Sequence, residues 1–195
     1  MTSDEANALV GQIRTAHRLS AAFYQRLFSM LAEVSDDQDL EFWYWEPSHT
    51  SRPCRSTTSP GDNWAWDMLP MFASRHVYRR VRGGGAAQGD VAVMFEVLLD
   101  DAFRPDARKR HGVRGEPNPL TLPVGSALVE VGVYRCTGDD VRTFDAIWDE
   151  TDAPLSSVEG WQKLHARLDA KVLVLDLGQF ISAGAIEISR RIAAL

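Results

Sequence analysis

Residues 43–76 concentrate side chains that could bind or transform a small molecule. The segment holds four of the six tryptophans, together with two histidines, a cysteine and several acidic residues. A cleft with aromatic walls and a few titratable groups has the usual composition of a ligand pocket. The candidate ligand-binding residues are Trp43, Trp45, His49, Cys54, Trp64, Trp66, Asp67 and His76.

Two kinds of chemistry can be assembled from this segment. Cys54 could act as a nucleophile with His49 or His76 as its base, or His49, Asp62 and His76 could surround a metal ion. Neither spacing matches a sequence motif whose spacing is explained by a known catalytic or metal-binding mechanism. We therefore predict no metal and no cofactor, and we assign no catalytic residue. The competing interpretation is that the tryptophans only hold an irregular loop against the core.

A second set of residues suits contact with phosphate or with a protein partner. The net charge is −6, yet residues 51–115 carry 11 of the 21 basic side chains, and only three of the 21 are lysine. Arginine forms bidentate contacts with phosphate and carboxylate groups. The candidates are Arg79, Arg80, Arg82, Arg104, Arg108, Lys109, Arg110 and Arg114.

The overall charge argues against nucleic acid as the main partner of these residues. Nucleic-acid-binding domains are usually basic, whereas the pI of this chain is about 5.3. The arginines also fall at opposite ends of a predicted strand, so they form a single patch only in part. A nucleic-acid contact through the loop 104–114 is kept as a hypothesis ranked below a protein partner.

The periodicity of apolar residues predicts a long first helix over residues 4–34. The stripe steps by four and three, through Leu9, Ile13, Ala16, Ser20, Phe23, Leu27, Met30 and Val34. Thr2 and Glu5 have the spacing of a capping box. We favour a helix that lies across its own sheet, because the stripe is wider than a two-position seam. The same spacing is found in coiled coils, so a homodimer through helix 4–34 is the alternative.

The remaining periodic segments predict the fold class. Strands are expected at residues 40–46, 76–82, 91–99, 127–136 and 172–177, and helices near 140–150, near 156–168 and from about Ser182. Consecutive strands without helical crossovers imply an antiparallel or mixed sheet. The prediction is one α+β domain over residues 1–195, with a mixed, mostly antiparallel sheet of about five strands flanked by N- and C-terminal helices.

Two long irregular stretches, residues 47–74 and 102–125, lead to the functional prediction. Loops of this length are uncommon in compact domains and are usually functional or disordered. We predict a soluble accessory protein that contacts a protein partner through these loops. The alternative is a small enzyme, or a small-molecule-binding protein, with its site in residues 43–76. No apolar run approaches the roughly 20 residues that span a bilayer, so we expect a cytoplasmic protein without membrane contact.

Overall fold

Six strands pair into one antiparallel sheet in a computed structural model that describes residues 1–195. The strands are β1 (Glu41–Pro47), β2 (Ala73–Arg80), β3 (Val91–Leu98), β4 (Leu128–Cys136), β5 (Gln162–His165) and β6 (Leu168–Asp176). The helices are α1 (Ser3–Asp37), α2 (Pro105–Arg110), α3 (Phe144–Asp149), α4 (Leu177–Ala183) and α5 (Ala185–Ala193). The strand order is β1-β2-β3-β4-β6-β5. The predicted α+β domain with helices at both ends is confirmed, with six strands instead of about five and no parallel pair.

One predicted element is wrong, because residues 156–168 do not form a helix. The spacing of apolar residues in this stretch fits a helical stripe, but β5 pairs with β6 as a hairpin. Trp161 packs against the main apolar cluster, and its indole Nε1 donates to the carbonyl of Leu195 at 3.1 Å. The spacing of apolar residues in this stretch is compatible with a helix or with a short strand. Pairing with β6 and the packing of Trp161 decide in favour of the strand.

The C-terminal helix begins earlier than predicted and is divided in two. Asp176 caps α4 by accepting a hydrogen bond from the backbone N–H of Gln179 at 2.9 Å. Gly184 then adopts a φ of +78° between α4 and α5. Side chains other than glycine rarely adopt this conformation, so the break is fixed at this residue.

One face of the sheet, which we call the apolar face, is covered by α4, α5 and the end of α1. Its central strand contributes Val93, Phe95 and Val97, all 2% exposed or less. These side chains belong to a cluster of 16 buried residues that includes Phe180 of α4 and Ile188 of α5. This cluster is the main hydrophobic core, and it explains why β3 is apolar along nearly its whole length.

The first helix contacts this core only through its C-terminal turns. Thr2 and Glu5 form the predicted capping box at its start. Leu27, Leu31 and Val34 are buried, but residues 3–22 are all exposed apart from two half-buried positions. The expectation that the helix lies across the sheet therefore holds only for its last turns.

The opposite face, which we call the groove face, is covered at its two ends. At one end α3 places Phe144 and Ile147 against the sheet. At the other end, a short helical turn lies at Ala65–Met68, and Trp66 packs against Phe103 with ring centroids 4.8 Å apart. The middle of this face is left open between the two covers.

Candidate functional site

A row of charged side chains crosses the open part of the groove face. The register places Glu46 of β1 opposite Arg75 of β2. Arg75 lies opposite Glu96 of β3, which lies opposite Glu130 of β4. We call these four residues the charged row. Charged side chains are rare at the centre of a sheet because burial removes their hydration, and Glu96 is only 7% exposed.

Ion pairs offset part of the cost of burying this row. Arg75 lies between two carboxylates, with its Nη1 at 3.7 Å from Glu46 Oε1 and its Nε at 3.5 Å from Glu96 Oε2. Arg104, the residue just before α2, donates from Nη2 to Glu130 Oε1 at 2.5 Å. The loop after β3 therefore returns over the sheet to supply the second guanidinium.

His49 joins the charged row from the loop after β1. Its backbone has a φ of +67°, a conformation uncommon outside glycine. In this conformation the imidazole Nε2 lies 3.6 Å from Glu96 Oε1. Burial lowers the pKa of His49, and the nearby Glu96 carboxylate opposes that shift. Neither His49 Nε2 nor Arg75 Nε forms a hydrogen bond, although both atoms are buried; the nearest Glu96 oxygens lie 3.6 Å and 3.5 Å from them.

An aromatic wall stands beside the charged row. Trp43 is an extra residue in β1, since Phe42 pairs with Tyr78 while Tyr44 already pairs with Val77. This bulge places Trp43 and Tyr44 on the same face of the sheet, whereas consecutive side chains of a regular strand point to opposite faces. Trp148 of α3 completes the wall, and its Nε1 donates to the Tyr44 hydroxyl at 3.0 Å.

The row and the wall line two neighbouring cavities that share Arg75, and we call the two together the groove. The aromatic end has a volume of about 490 Å³, and the charged end about 440 Å³. Gly132 of β4 lies between Glu130 and Tyr134 on the groove face. A Cβ atom there would come within 3.0 Å of the Tyr134 ring, so the glycine lets this ring lean across the floor of the groove.

The lining of the groove is predominantly acidic. At the aromatic end, Arg75 is the one basic residue, against Glu46, Asp149 and Asp152. Over both ends the lining contains seven carboxylates and three arginines. The arrangement therefore favours a ligand with positive charge, since lining charge of one sign concentrates ligands of the opposite sign.

The structure distributes the predicted ligand-binding residues instead of gathering them. Trp43 lies at the aromatic end of the groove and His49 at the charged end. Trp45 and His76 lie on the apolar face, where their rings stack with centroids 6.5 Å apart. Burial of His76 lowers its pKa to about 4.

The rest of the tryptophan-rich segment forms a separate site inside its own loop. His49, Trp64 and Asp67 line a further cavity of about 450 Å³. Asp67 is buried and accepts a hydrogen bond from the backbone N–H of Ser51 at 2.7 Å. Trp66 packs in the aromatic cluster of the loop, and its Nε1 donates to a backbone carbonyl. Asp67 therefore makes a contact within the loop, and Trp66 makes one with the loop 102–125.

The catalytic and metal hypotheses find little support in the contacts. The Cys54 thiol donates to the Thr58 carbonyl at 3.8 Å, and its contacts include neither histidine. No group of three His, Cys, Asp or Glu residues is placed to hold a metal ion. His49 and His76 project from opposite faces of the sheet, so they do not act on one ligand.

The predicted basic candidates do not form one patch. Arg79 pairs with Asp145 and stacks over the Trp43 ring at 4.0 Å. Arg80 lies on the other face and approaches Asp39 at 3.8 Å. Arg108 stacks over aromatic rings of the loop, and Arg104 pairs with Glu130. Four candidates are exposed and form no ion pair, namely Arg82, Lys109, Arg110 and Arg114.

The sequence interpretation missed several residues of the groove. The sequence pattern does not identify Glu96 or Glu130 as groove residues, although strand pairing brings them together. The available signal was a carboxylate interrupting an apolar run, which occurs in both Val91–Leu98 and Leu128–Cys136. Other lining residues that the interpretation missed include Tyr44, Met94, Tyr134, Trp148, Asp149 and Asp152.

Fold and groove define an α+β protein whose antiparallel sheet is closed by helices on one face and open as an acidic, aromatic groove on the other. The chain belongs to the PM0109 family, whose model matches residues 3–186. No curated protein and no solved structure shows significant similarity to it. None of its helices combines the length and hydropathy that a membrane crossing requires.

Proposed function

We propose that the protein is a binding protein that holds a positively charged segment of a protein partner in the groove. An Arg or Lys side chain of the partner would enter the aromatic end. The observation that carries this proposal is the excess of carboxylates beside an aromatic wall, with Glu46, Asp149 and Asp152 facing one arginine. A cation in this position is attracted both by the carboxylates and by the ring faces.

The aromatic wall already accepts a guanidinium group from within the chain. Arg79 lies 4.0 Å from the centroid of Trp43. Such a contact contributes about 0.5–2 kcal/mol, with the larger values at desolvated sites. A second cation on the groove side of the wall would gain from Trp148 and from Tyr134, whose rings lie 4.6 Å apart.

The open shape of the groove favours a chain segment over a compact metabolite. The two ends differ in chemistry, and an extended segment can place neighbouring residues in both. At the charged end, the exposed part of the Arg75 guanidinium can donate to a backbone carbonyl of the partner, since the side chain is about a third exposed. The walls include the loops 47–74 and 102–125, through His49 and Arg104, in keeping with the predicted role of these loops.

Titration calorimetry with a blocked Gly-Arg-Gly-Arg-Gly peptide tests the proposal. The triple variant Glu46→Gln, Asp149→Asn, Asp152→Asn should weaken binding about tenfold, equivalent to about 1.4 kcal/mol. The matched control is Glu33→Gln, Glu41→Gln, Glu159→Gln, which removes the same charge from exposed positions outside the groove. This control should bind the peptide as the native protein does, apart from a small loss of long-range attraction.

Two outcomes would overturn the proposal. If the peptide does not bind at low salt, or if the corresponding Glu peptide binds equally well, the hypothesis of a positively charged partner is excluded. A third outcome would change its class: if arginine methyl ester binds as tightly as the peptide, the groove serves a small amine instead of a protein segment.

We also propose a cytoplasmic location. Cys54 and Cys136 are both free thiols, and reduced cysteines are usual in the cytosol. Cys136 is buried, and this burial raises its pKa to about 11, which keeps the thiol protonated and unreactive.

A further inference from the structure

The end of α2 and the turn after it carry a group of exposed basic side chains beside the groove. We call residues 108–114 the basic segment. It contains four Arg and Lys side chains and no carboxylate. Lys109, Arg110 and Arg114 are exposed and form no ion pair within the chain. These three charges are therefore available to a partner of opposite charge.

The basic segment begins in the wall of the charged end of the groove. Residues 104–107 and Arg110 line this end, so α2 forms part of its wall. Of the three arginines in the lining, Arg75 and Arg104 are ion-paired with carboxylates of the charged row, whereas Arg110 is not. The chain thus presents unpaired basic side chains beside one cavity of the groove and an excess of carboxylates in the other.

Contacts within the chain hold the basic segment in a closed shape. The Arg108 guanidinium stacks over the rings of Trp64 and Phe103, 5.4 Å and 5.1 Å from their centroids. Its Nη1 donates to the carbonyl of Gly115 at 3.3 Å, and the backbone N–H of Val113 donates to the carbonyl of Arg108 at 3.0 Å. Binding a segment that is already ordered costs less conformational entropy than binding a flexible chain.

We propose that the partner of the groove is a second copy of this chain, whose basic segment enters the aromatic end. This inference rests on the proposed function, because it names the owner of the positively charged segment. The exposed basic side chains of one copy lie against three carboxylates of the other, where Arg75 is the one basic residue. The complementary charges are therefore at the contact itself, beside the aromatic wall that also attracts cations.

The positions of the segment and the acidic cavity allow the pair to close. The axis passes between the two groove faces and across the groove. A rotation of 180° about it sets the charged end of each copy against the aromatic end of the other. Each basic segment then meets the acidic cavity of its neighbour, and the two contacts are equivalent. Two-fold pairs of this kind are the commonest homo-oligomers. Because the contact is electrostatic, added salt should weaken the association.

Sedimentation of the full chain over a range of concentrations tests the pairing. The native protein should pass from a mass of 21.7 kDa toward twice that value. An excess of the Gly-Arg-Gly-Arg-Gly peptide should return it to the lower mass. The segment variant, Lys109→Gln with Arg110→Gln and Arg114→Gln, should raise the dimer Kd about tenfold or more. It should still bind the peptide, because the carboxylates of its groove are intact.

A charge control and a mixing experiment locate the contact. The control, Arg14→Gln with Arg18→Gln and Arg55→Gln, removes the same charge from exposed positions elsewhere, and it should change the Kd less than about threefold. The triple groove variant of the peptide experiment keeps its basic segment, and the segment variant keeps its groove. Each alone should associate weakly, whereas their equimolar mixture should form a heterodimer with one of the two contacts.

Three results would overturn the pairing. A native protein that stays monomeric up to about 1 mM, the limit of weak association, excludes a second copy as the partner. If the peptide still binds in that case, the proposed function stands; if it does not, both fail. Association of the segment variant equal to that of the native protein, or a mixture that associates no more than its components, would show that the copies do not pair through this contact.

Discussion

On the apolar face of the sheet, Phe95 has no solvent exposure and packs against Phe180 with ring centroids 6.3 Å apart. On the groove face, the next residue of the same strand is Glu96, held between Arg75 and His49. The two faces differ because successive side chains in a strand point to opposite sides. One strand therefore contributes both to the core and to the candidate site.

The difference teaches where in this fold stability and binding are encoded. The apolar face contains few ionisable groups and gains free energy from buried area. The groove face keeps carboxylates at positions where an apolar residue could pack equally well. Burying these ion pairs costs free energy of folding, because the charges lose their hydration. Substitutions on the two faces should therefore separate loss of folding from loss of binding.

The largest effect is expected from Phe180→Ala on the apolar face. The side chain has no solvent exposure, so truncation should leave a cavity and lower the free energy of unfolding by about 3–5 kcal/mol. Urea denaturation measures the change. Phe42→Ala is the control, because Phe42 is 56% exposed, and it should cost well under half as much. A loss below 1 kcal/mol for Phe180→Ala would contradict the assignment of the core.

The next effect is a dependence of stability on pH caused by His76. Its pKa is about 4 in the folded protein because of burial, against 6.5 for an unperturbed histidine. Between these values the unfolded chain binds the proton more tightly, so stability is full above pH 6.5 and falls as the pH is lowered toward 4. The loss should be on the order of 3 kcal/mol.

Unfolding in urea at several pH values between 7 and 4, roughly the window of the two pKa values, measures this loss. His76→Gln should flatten the dependence, whereas His17→Gln, at an exposed position, should leave it unchanged. In the His76→Gln variant, the free energy of unfolding should keep a small dependence on pH. This remainder is due to His49 on the groove face, whose pKa is also lowered by burial. An unchanged slope in His76→Gln would exclude His76 as the cause.

The smallest effect is expected from Glu96→Gln in the charged row. The change keeps the shape of the side chain but leaves Arg75 with Glu46 as its one carboxylate neighbour, at 3.7 Å. Because Arg75 is about a third exposed, water can compensate in part, and we expect a loss of about 1–2 kcal/mol. Glu41→Gln, at an exposed position, should cost almost nothing. A more stable Glu96→Gln protein would show that the row is kept at the expense of folding.

The sequence predicted those parts of the fold that depend on local signals. The capping box of Thr2 and Glu5 marks the start of α1, and the apolar run Val91–Leu98, interrupted only by Glu96, identifies a buried strand. The glycine-rich stretch from Gly83 to Gly89 is a local signal for the turn that joins β2 and β3. Each signal is contained in a short window, so no long-range information was needed.

The candidate site could be predicted only in part, because it depends on register. Glu96 and Glu130 become neighbours only when β3 and β4 pair with one particular offset. Trp45 seemed equivalent to Trp43 in sequence, yet it lies on the opposite face. The hairpin that replaced the expected helix at 156–168 depends likewise on pairing, which short periodic patterns do not determine.

The bulge at Trp43 makes the chemistry of the groove depend on the length of β1. Deleting this single residue would restore regular pleating and leave Tyr44 without its aromatic neighbour on that side. Within the PM0109 family, a count of the residues between the end of the first helix and the glutamate that corresponds to Glu46 should therefore distinguish members that keep the aromatic wall from members that have lost it. In this fold, the presence of one inserted residue would then determine which ligand the groove prefers. A comparison of residue types at aligned positions would not reveal this difference.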